Sequence, residues 1–208
     1  MNKMFAVRPL ITAILCSALT AAAHAGAPKT HDGFFMRLSP GIGTASTKID
    51  VTGFQVDVSG MASDFNFAIG GMVKPNLAIH ATFFGWSAGD PDGDVAIAGV
   101  GSGSGTLNGT VTMGAYGAGL TYYFMPVNMY LSGSAGFGTL QLDADNGVDG
   151  ETDTGFAMDL TLGKEWWVGD SWGLGLAGGF TYHSLPEKDM DENWSGTSFT
   201  VRFSATLN

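Results

Sequence analysis

The chain is expected to fold as an all-β, eight-stranded antiparallel up-and-down barrel that crosses a membrane. Three observations carry that expectation. Apolar residues alternate with small or polar ones in stretch after stretch, the stretches are joined alternately by tight turns and long acidic connections, and charge is scarce along the strands. A period of two puts successive side chains on opposite faces of a strand, so each stretch has two different environments. The last one shows it best: Phe199, Val201, Phe203, Ala205 and Leu207 fall on one face, and Ser198, Thr200, Arg202, Ser204 and Thr206 on the other.

The N-terminus reads as a cleavable leader, residues 1–25. Lys3 and Arg8 supply its positive start, residues 10–23 its apolar core, and Ala23-His24-Ala25 a small-x-small cleavage site. The core falls short of the about 20 residues a spanning helix needs, and no later stretch reaches that length. Residues 26–208 are then one barrel domain. Cys16, the only cysteine, leaves with the leader. An exported domain without disulfides needs another source of stability, which a closed hydrogen-bonded barrel supplies.

The strands are expected over residues 33–44, 64–72, 77–86, 110–124, 129–142, 155–167, 172–184 and 197–207. In the first, Phe34, Met36, Leu38 and Ile42 oppose Phe35, Arg37, Ser39 and Gly41. In the second, Phe65, Phe67 and Ile69 oppose Asn66 and Ala68; in the third, Leu77, Ile79, Ala81 and Phe83 oppose His80 and Thr82. The sixth sets Phe156, Met158, Leu160 and Leu162 against Asp159, Thr161 and Gly163. Val73-Lys74-Pro75-Asn76, Met125-Pro126-Val127-Asn128 and Val168-Gly169-Asp170-Ser171 are turns by their composition. The other four connections are long and polar, and the longest, residues 87–109, holds a Gly/Ser run. Strict alternation of short and long suits an even barrel with both termini at the short-turn end. Trp86, Tyr122, Tyr123, Trp166, Trp167, Trp172 and Tyr182 gather near strand ends, as in the aromatic girdles of membrane barrels.

Alternation alone leaves open which face is outside. A soluble, lipocalin-like ligand-binding barrel is also eight-stranded, with its apolar face inward. Its outer face would carry many Lys and Glu, whereas here the chain has nine Lys and Arg, two of them in the leader, and the polar faces hold Gly, Ala, Ser and Thr. Small residues inward and bulky apolar residues toward lipid fit better.

The leader, the eight alternating stretches, Gly117-Ala118-Gly119-Leu120-Thr121-Tyr122-Tyr123 and the closing strand 199–207 together resemble the small eight-stranded outer-membrane barrels of the OmpA transmembrane domain, OmpX and OmpW kind. That resemblance implies the outer membrane of a Gram-negative bacterium, long loops outside the cell, and short turns and both termini in the periplasm. Such chains usually end on an aromatic residue read by the assembly machinery; this one departs from the pattern with Leu207-Asn208.

The inward faces are expected to hold Arg37, Asn66, His80, Asp159, Glu165, His183 and Arg202. First and last strands pair on closure, so Arg37 and Arg202 should be neighbours. Their counter-charges should be Asp159 and Glu165, since an unpaired buried charge is costly. An ion-pair network of Arg37, Asp159, Glu165 and Arg202 would plug the lumen; a narrow polar pore with the same lining is the rival. Most of the nineteen Asp and Glu lie in or beside the long loops: Asp50, Asp57, Asp64, Asp90, Asp92, Asp94, Asp143, Asp145, Asp149, Glu151, Asp153, Glu187, Asp189, Asp191 and Glu192. Asp143, Asp145, Asp149, Glu151 and Asp153 are the candidate ligands for Ca²⁺ or Mg²⁺, bridging to anionic lipopolysaccharide. Asp145-x-Gly147-x-Asp149-Gly150 lacks the closing glutamate of a calcium loop, Phe156 standing there, and a solvated surface is the plainer expectation. Acidic loops argue against nucleic-acid binding.

His183-Ser184 invites a hydrolase reading, but adjacent strand residues point to opposite faces. The expectation is therefore a monomeric, non-enzymatic barrel without cofactor, in contact with outer-membrane lipid and lipopolysaccharide, with a structural or surface-interaction role. The alternative is a narrow channel or conduit for small solutes or apolar molecules.

Overall fold

A computed structural model describes residues 29–145, 147, 149–188 and 190–208; the expected leader, residues 1–25, lies outside the described residues. The strands are β1 (Phe34–Val51), β2 (Phe54–Lys74), β3 (Leu77–Gly89), β4 (Asp92–Ile97), β5 (Gly101–Thr106), β6 (Gly109–Phe124), β7 (Met129–Ala144), β8 (Asp149–Glu151), β9 (Gly155–Trp167), β10 (Trp172–Pro186) and β11 (Asn193–Leu207). Eight of them close a ring in the order β1-β2-β3-β6-β7-β9-β10-β11, every pairing antiparallel, with β11 returning to β1. Closure leaves the ring no free edge, so its backbone polar groups pair within the wall.

Several strands outrun their expected bounds. β1 extends to Val51 and β2 begins at Phe54, so the expected first loop is a hairpin turning at Thr52 and Gly53. Ile49, Val56 and Val58 still alternate with Lys48, Asp57 and Ser59 there. The period of two continues past the level at which outward residues turn polar, and that change of outer face reads in sequence as a loop. The expected connection 87–109 likewise holds a hairpin. Asp90 and Pro91 end β3, and the chain leaves the ring as β4, which pairs with the upper part of β2, and β5, which pairs with β4. The backbone N–H of Gly109 donates to Asp90 Oδ1 at 3.1 Å, pinning the base of this hairpin. β8 adds a short ribbon to the end of β7.

Side chains sort by the pleat. Outward stand Leu38, Ile42, Ile69, Phe83, Leu120, Leu131, Phe137, Leu160, Leu162, Leu176, Phe199, Val201 and Phe203, all exposed. Inward, two apolar layers bracket a polar section. At the long-loop end, Phe84, Trp86, Val111, Met113, Leu140 and Leu185 fill the lumen. At the short-turn end, Phe35, Ala68, Ala78, Tyr123, Tyr130 and Ala177 do so. The girdle expectation therefore divides. Tyr122, Trp166 and Trp172 face outward, but Trp86 and Tyr123 are buried in the lumen and Trp167 turns inward against His31. Trp86 and Tyr123 share the inward parity of Phe84 and Thr121, and the pleat overrides the position along the strand.

Candidate functional site

The polar section between the two apolar layers is the candidate site. β11 carries Arg202 into its centre. Two glycines make room for it: a Cβ at Gly179 would stand 2.5 Å from Arg202 Cζ, and one at Gly41 would stand 2.8 Å from its Cγ. Gly163 similarly seats the ring of Tyr130, 2.5 Å from a Cβ placed there. Such close approach explains glycine in the middle of strands.

Arg202 binds two carboxylates. Its Nε and Nη2 donate to Asp64, the latter at 2.9 Å, and its Nη1 and Nη2 donate to Asp159 at 3.0 and 2.6 Å. Nη1 also donates to Thr161 Oγ1 at 2.7 Å. Asp159 is the hub on the acidic side. It further accepts from Asn66 Nδ2 at 2.9 Å, Thr161 at 3.0 Å and Thr181 at 3.0 Å. A buried ion pair is tolerated only when its remaining donors and acceptors are also satisfied, and four side chains from β2, β9 and β10 (Asp64, Asn66, Thr161 and Thr181) meet that condition here.

Arg37 lies in a separate environment. Register sets Arg202 opposite Gly41 and Arg37 opposite Thr206, so the two arginines share paired strands without being opposite each other. Arg37 Nη2 donates to Ser132 Oγ at 2.8 Å and Nη1 to Thr121 Oγ1 at 3.4 Å, and its guanidinium lies 4.5 Å from the centre of the Tyr130 ring. Hydroxyls and an aromatic face stand where a carboxylate was expected. Glu165 also meets hydroxyls: Ser204 and Thr206 donate to its Oε1, the latter at 2.7 Å, and Tyr123 to its Oε2 at 3.5 Å. Of Arg37, Asp159, Glu165 and Arg202, the fold thus joins Arg202 with Asp159 and places Arg37 and Glu165 in separate clusters nearer the short turns.

Asp64 corrects the sequence reading, which placed it among the loop acids. It is buried in the lumen on Arg202. The signal was present in its parity: Asp64 falls on the face of Asn66 and Ala68, opposite Phe65 and Phe67. His80 bonds Thr121 at 3.0 Å and His183 bonds Thr47 at 2.9 Å, in different sections of the lumen. His183 is buried, while Ser184 lies on the other face, near Ser195 at 3.5 Å.

At the long-loop end, among the described residues, no group of three or more His, Cys, Asp or Glu is arranged to hold a metal ion. Asp143, Asp145, Asp149 and Asp153 do not converge with Glu151. Glu151 instead accepts from Gln141 at 3.2 Å and from Lys188 at 3.1 Å, and these two donors hold its carboxyl below the usual range. The β2-β4-β5 sheet carries Asp57 opposite Asp94 and Ser59 opposite Asp92 on its outer side, and β5 is exposed along its whole length.

The direction of the faces excludes a lipocalin-like barrel. Bulky apolar side chains ring the outside while the ion pair sits inside, the arrangement a lipid surround stabilises and water does not. No protein-family model matches the chain, and no curated protein does. Solved structures do. The chain is similar to Neisserial surface protein A, with a TM-score of 0.55 at 13% identity over 84% of this chain and 96% of that one. The outer membrane protein OprG of Pseudomonas aeruginosa gives a TM-score of 0.47 at 13% identity, covering 86% and 98%. The outer membrane protease OmpT of Escherichia coli gives 0.44 at 9% identity, covering 90% and 99%. The first of these carries the fold assignment: the chain has the fold of the small outer-membrane β-barrels.

Proposed function

We propose that this protein is a non-enzymatic outer-membrane barrel whose lumen is closed and whose work is done by the sheet projecting beyond the lipid band. The observation that carries this reading is the contrast between the two parts. The lumen is crossed by a buried, multiply bonded Arg202–Asp64–Asp159 cluster between two apolar layers, whereas β4 and β5 leave the ring and continue as an exposed antiparallel sheet. Among the described residues the outer edge of β5 has no strand partner, and its Gly-Ser-Gly-Ser-Gly-Thr sequence has none of the lysines, prolines or bulges that blunt an edge. A surface-interaction role follows, with an extended segment of a partner adding to that edge and acidic side chains beside it selecting a basic one. Under this reading the long loops face outside the cell, the short turns and both termini face the periplasm, the partners along the wall are lipid and lipopolysaccharide, and the chain is a monomer.

The opposite faces of His183 and Ser184 support a reading without a catalytic pair. The test is single-channel conductance of the refolded protein in a planar bilayer, with Arg37→Ala and Arg202→Ala beside it. A silent protein whose variants conduct supports the closed lumen. Steady openings of the unsubstituted protein would replace this reading with a narrow channel.

A further inference from the structure

Residues 29–33 precede β1 and lie across the mouth at the short-turn end. His31 is fully buried there, although it belongs to no strand. Its ring stacks on Tyr123 at 3.6 Å and 16°, with Trp167 at 4.7 Å. Its Nδ1 meets Asn208 Oδ1 at 2.8 Å, and its Nε2 meets Asn128 Oδ1 at 2.7 Å. Its backbone is held as well: the His31 N–H donates to Asn76 Oδ1 at 3.1 Å, and the Asn76 N–H donates back to the His31 carbonyl at 3.0 Å.

These three asparagines come from different places. Asn76 sits in the β2–β3 turn and Asn128 in the β6–β7 turn, both at positive φ, 66° and 53°, a conformation asparagine tolerates better than most residues. Asn208 directly follows β11. The third turn is engaged by Lys29, whose Nζ donates to the Gly169 carbonyl and stands 3.5 Å from Asp170. The segment therefore touches all three short turns and the residue that follows β11, and it joins β1 through Gly33 at a φ of +74°, which glycine adopts without steric cost.

We propose that residues 29–33 form a strap that closes the short-turn mouth of the barrel, with His31 as its bolt and Asn76, Asn128 and Asn208 as the keeper. The strap is formed by groups that meet only when β11 has paired with β1, since His31 precedes β1 and Asn208 follows β11 at the same, short-turn end of that seam. It is therefore a post-closure device. It seals the lower lumen layer of Phe35, Ala78, Tyr123 and Tyr130 once the ring is complete, and withdrawing it opens that layer while the ring stays paired. The strap is held by side-chain contacts and a few backbone bonds, without the ladder that holds the strands, so it belongs to the part of the molecule that opens at lowest cost.

The test uses a thiol at Ala78→Cys, a fully buried lower-lumen position two residues from Asn76. The reader is the rate of labelling by a small water-soluble thiol reagent on the folded protein in detergent. Labelling of a buried group tracks the population of the open form, so His31→Ala is expected to raise it about tenfold or more, with Asn208→Ala moving it the same way by less. His31→Phe keeps the stack on Tyr123 and loses the bolt's hydrogen bonds; it is expected to label faster than the unsubstituted protein. Heat-modifiable gel mobility establishes that each variant holds its barrel. Equal labelling with and without the imidazole in a folded barrel would overturn the strap, and so would labelling at the rate of a free thiol with His31 in place.

Discussion

Arg202 and Asp159 meet at 2.6 Å between Nη2 and Oδ2 in the middle of the barrel, from strands that are not neighbours in the ring. Both side chains are withdrawn from solvent, and Asp64 closes the triad from a third strand. Such a group holds three walls of the ring to one another. Removing the cation strands two carboxylates that have no other charged partner in the cluster. Arg202→Ala is expected to cost about 3–5 kcal/mol, the scale for breaking a buried pair by deleting one member. Urea unfolding in detergent or vesicles, followed by gel mobility, measures it. Asp64→Asn should cost less, because Asp159 still neutralises the guanidinium. A loss for Arg202→Ala under about 1 kcal/mol, the range of exposed pairs, would refute the buried assignment.

Adjacent glycines in β10 give a comparison within one strand. A Cβ at Gly179 would come within 2.6 Å of Thr200 Oγ1 and closer still to the Arg202 guanidinium, whereas one at Gly178 meets nothing within 4 Å. Gly179→Ala is expected to destabilise by about 1–3 kcal/mol through overpacking, with Gly178→Ala near neutral. The two variants lie on one strand with Gly178 on the outer face and Gly179 on the lumen face, so a loss confined to Gly179→Ala reports the lumen clash. Equal effects would mean that Arg202 does not occupy this cradle.

Val201 lies next to Arg202 on β11 and is 63% exposed on the outer wall. An arginine tolerated inside the lumen should be costly one residue away. Val201→Arg is expected to lose about 2–4 kcal/mol if this level lies near the bilayer midplane. The same measurement on Val100→Arg, in the projecting hairpin and 82% exposed, should show little change. A neutral Val201→Arg would show that this face is not in lipid.

The strands were legible because their signal is local. Each pair of successive residues declares two environments, and this identified Arg37, Asp159, Glu165 and Arg202 as inward-facing. Where the outer environment changes, the same signal misleads: Asp57, Asp92 and Asp94 read as loop acids and stand on paired strands. Asp64 was misplaced for the same reason, an acid near a polar connection, although its parity matched Asn66. His31 carried no pattern at all. It is a single residue outside any strand, and its keepers are asparagines in two turns and one just after β11.

By itself the sequence determined that the chain makes a barrel and which side of each strand faces lipid, because period and composition act within a few residues. The tertiary structure alone decided the partners. Asp64 and Arg202 are 138 residues apart, and His31 and Asn208 are 177 apart. Their meeting depends on the register and stagger with which the ring closes. A one-residue slip would turn each lumen group toward lipid, so the register is held by the face pattern, but which hydroxyl or carboxylate lies across the lumen from an arginine is a property of the closed ring.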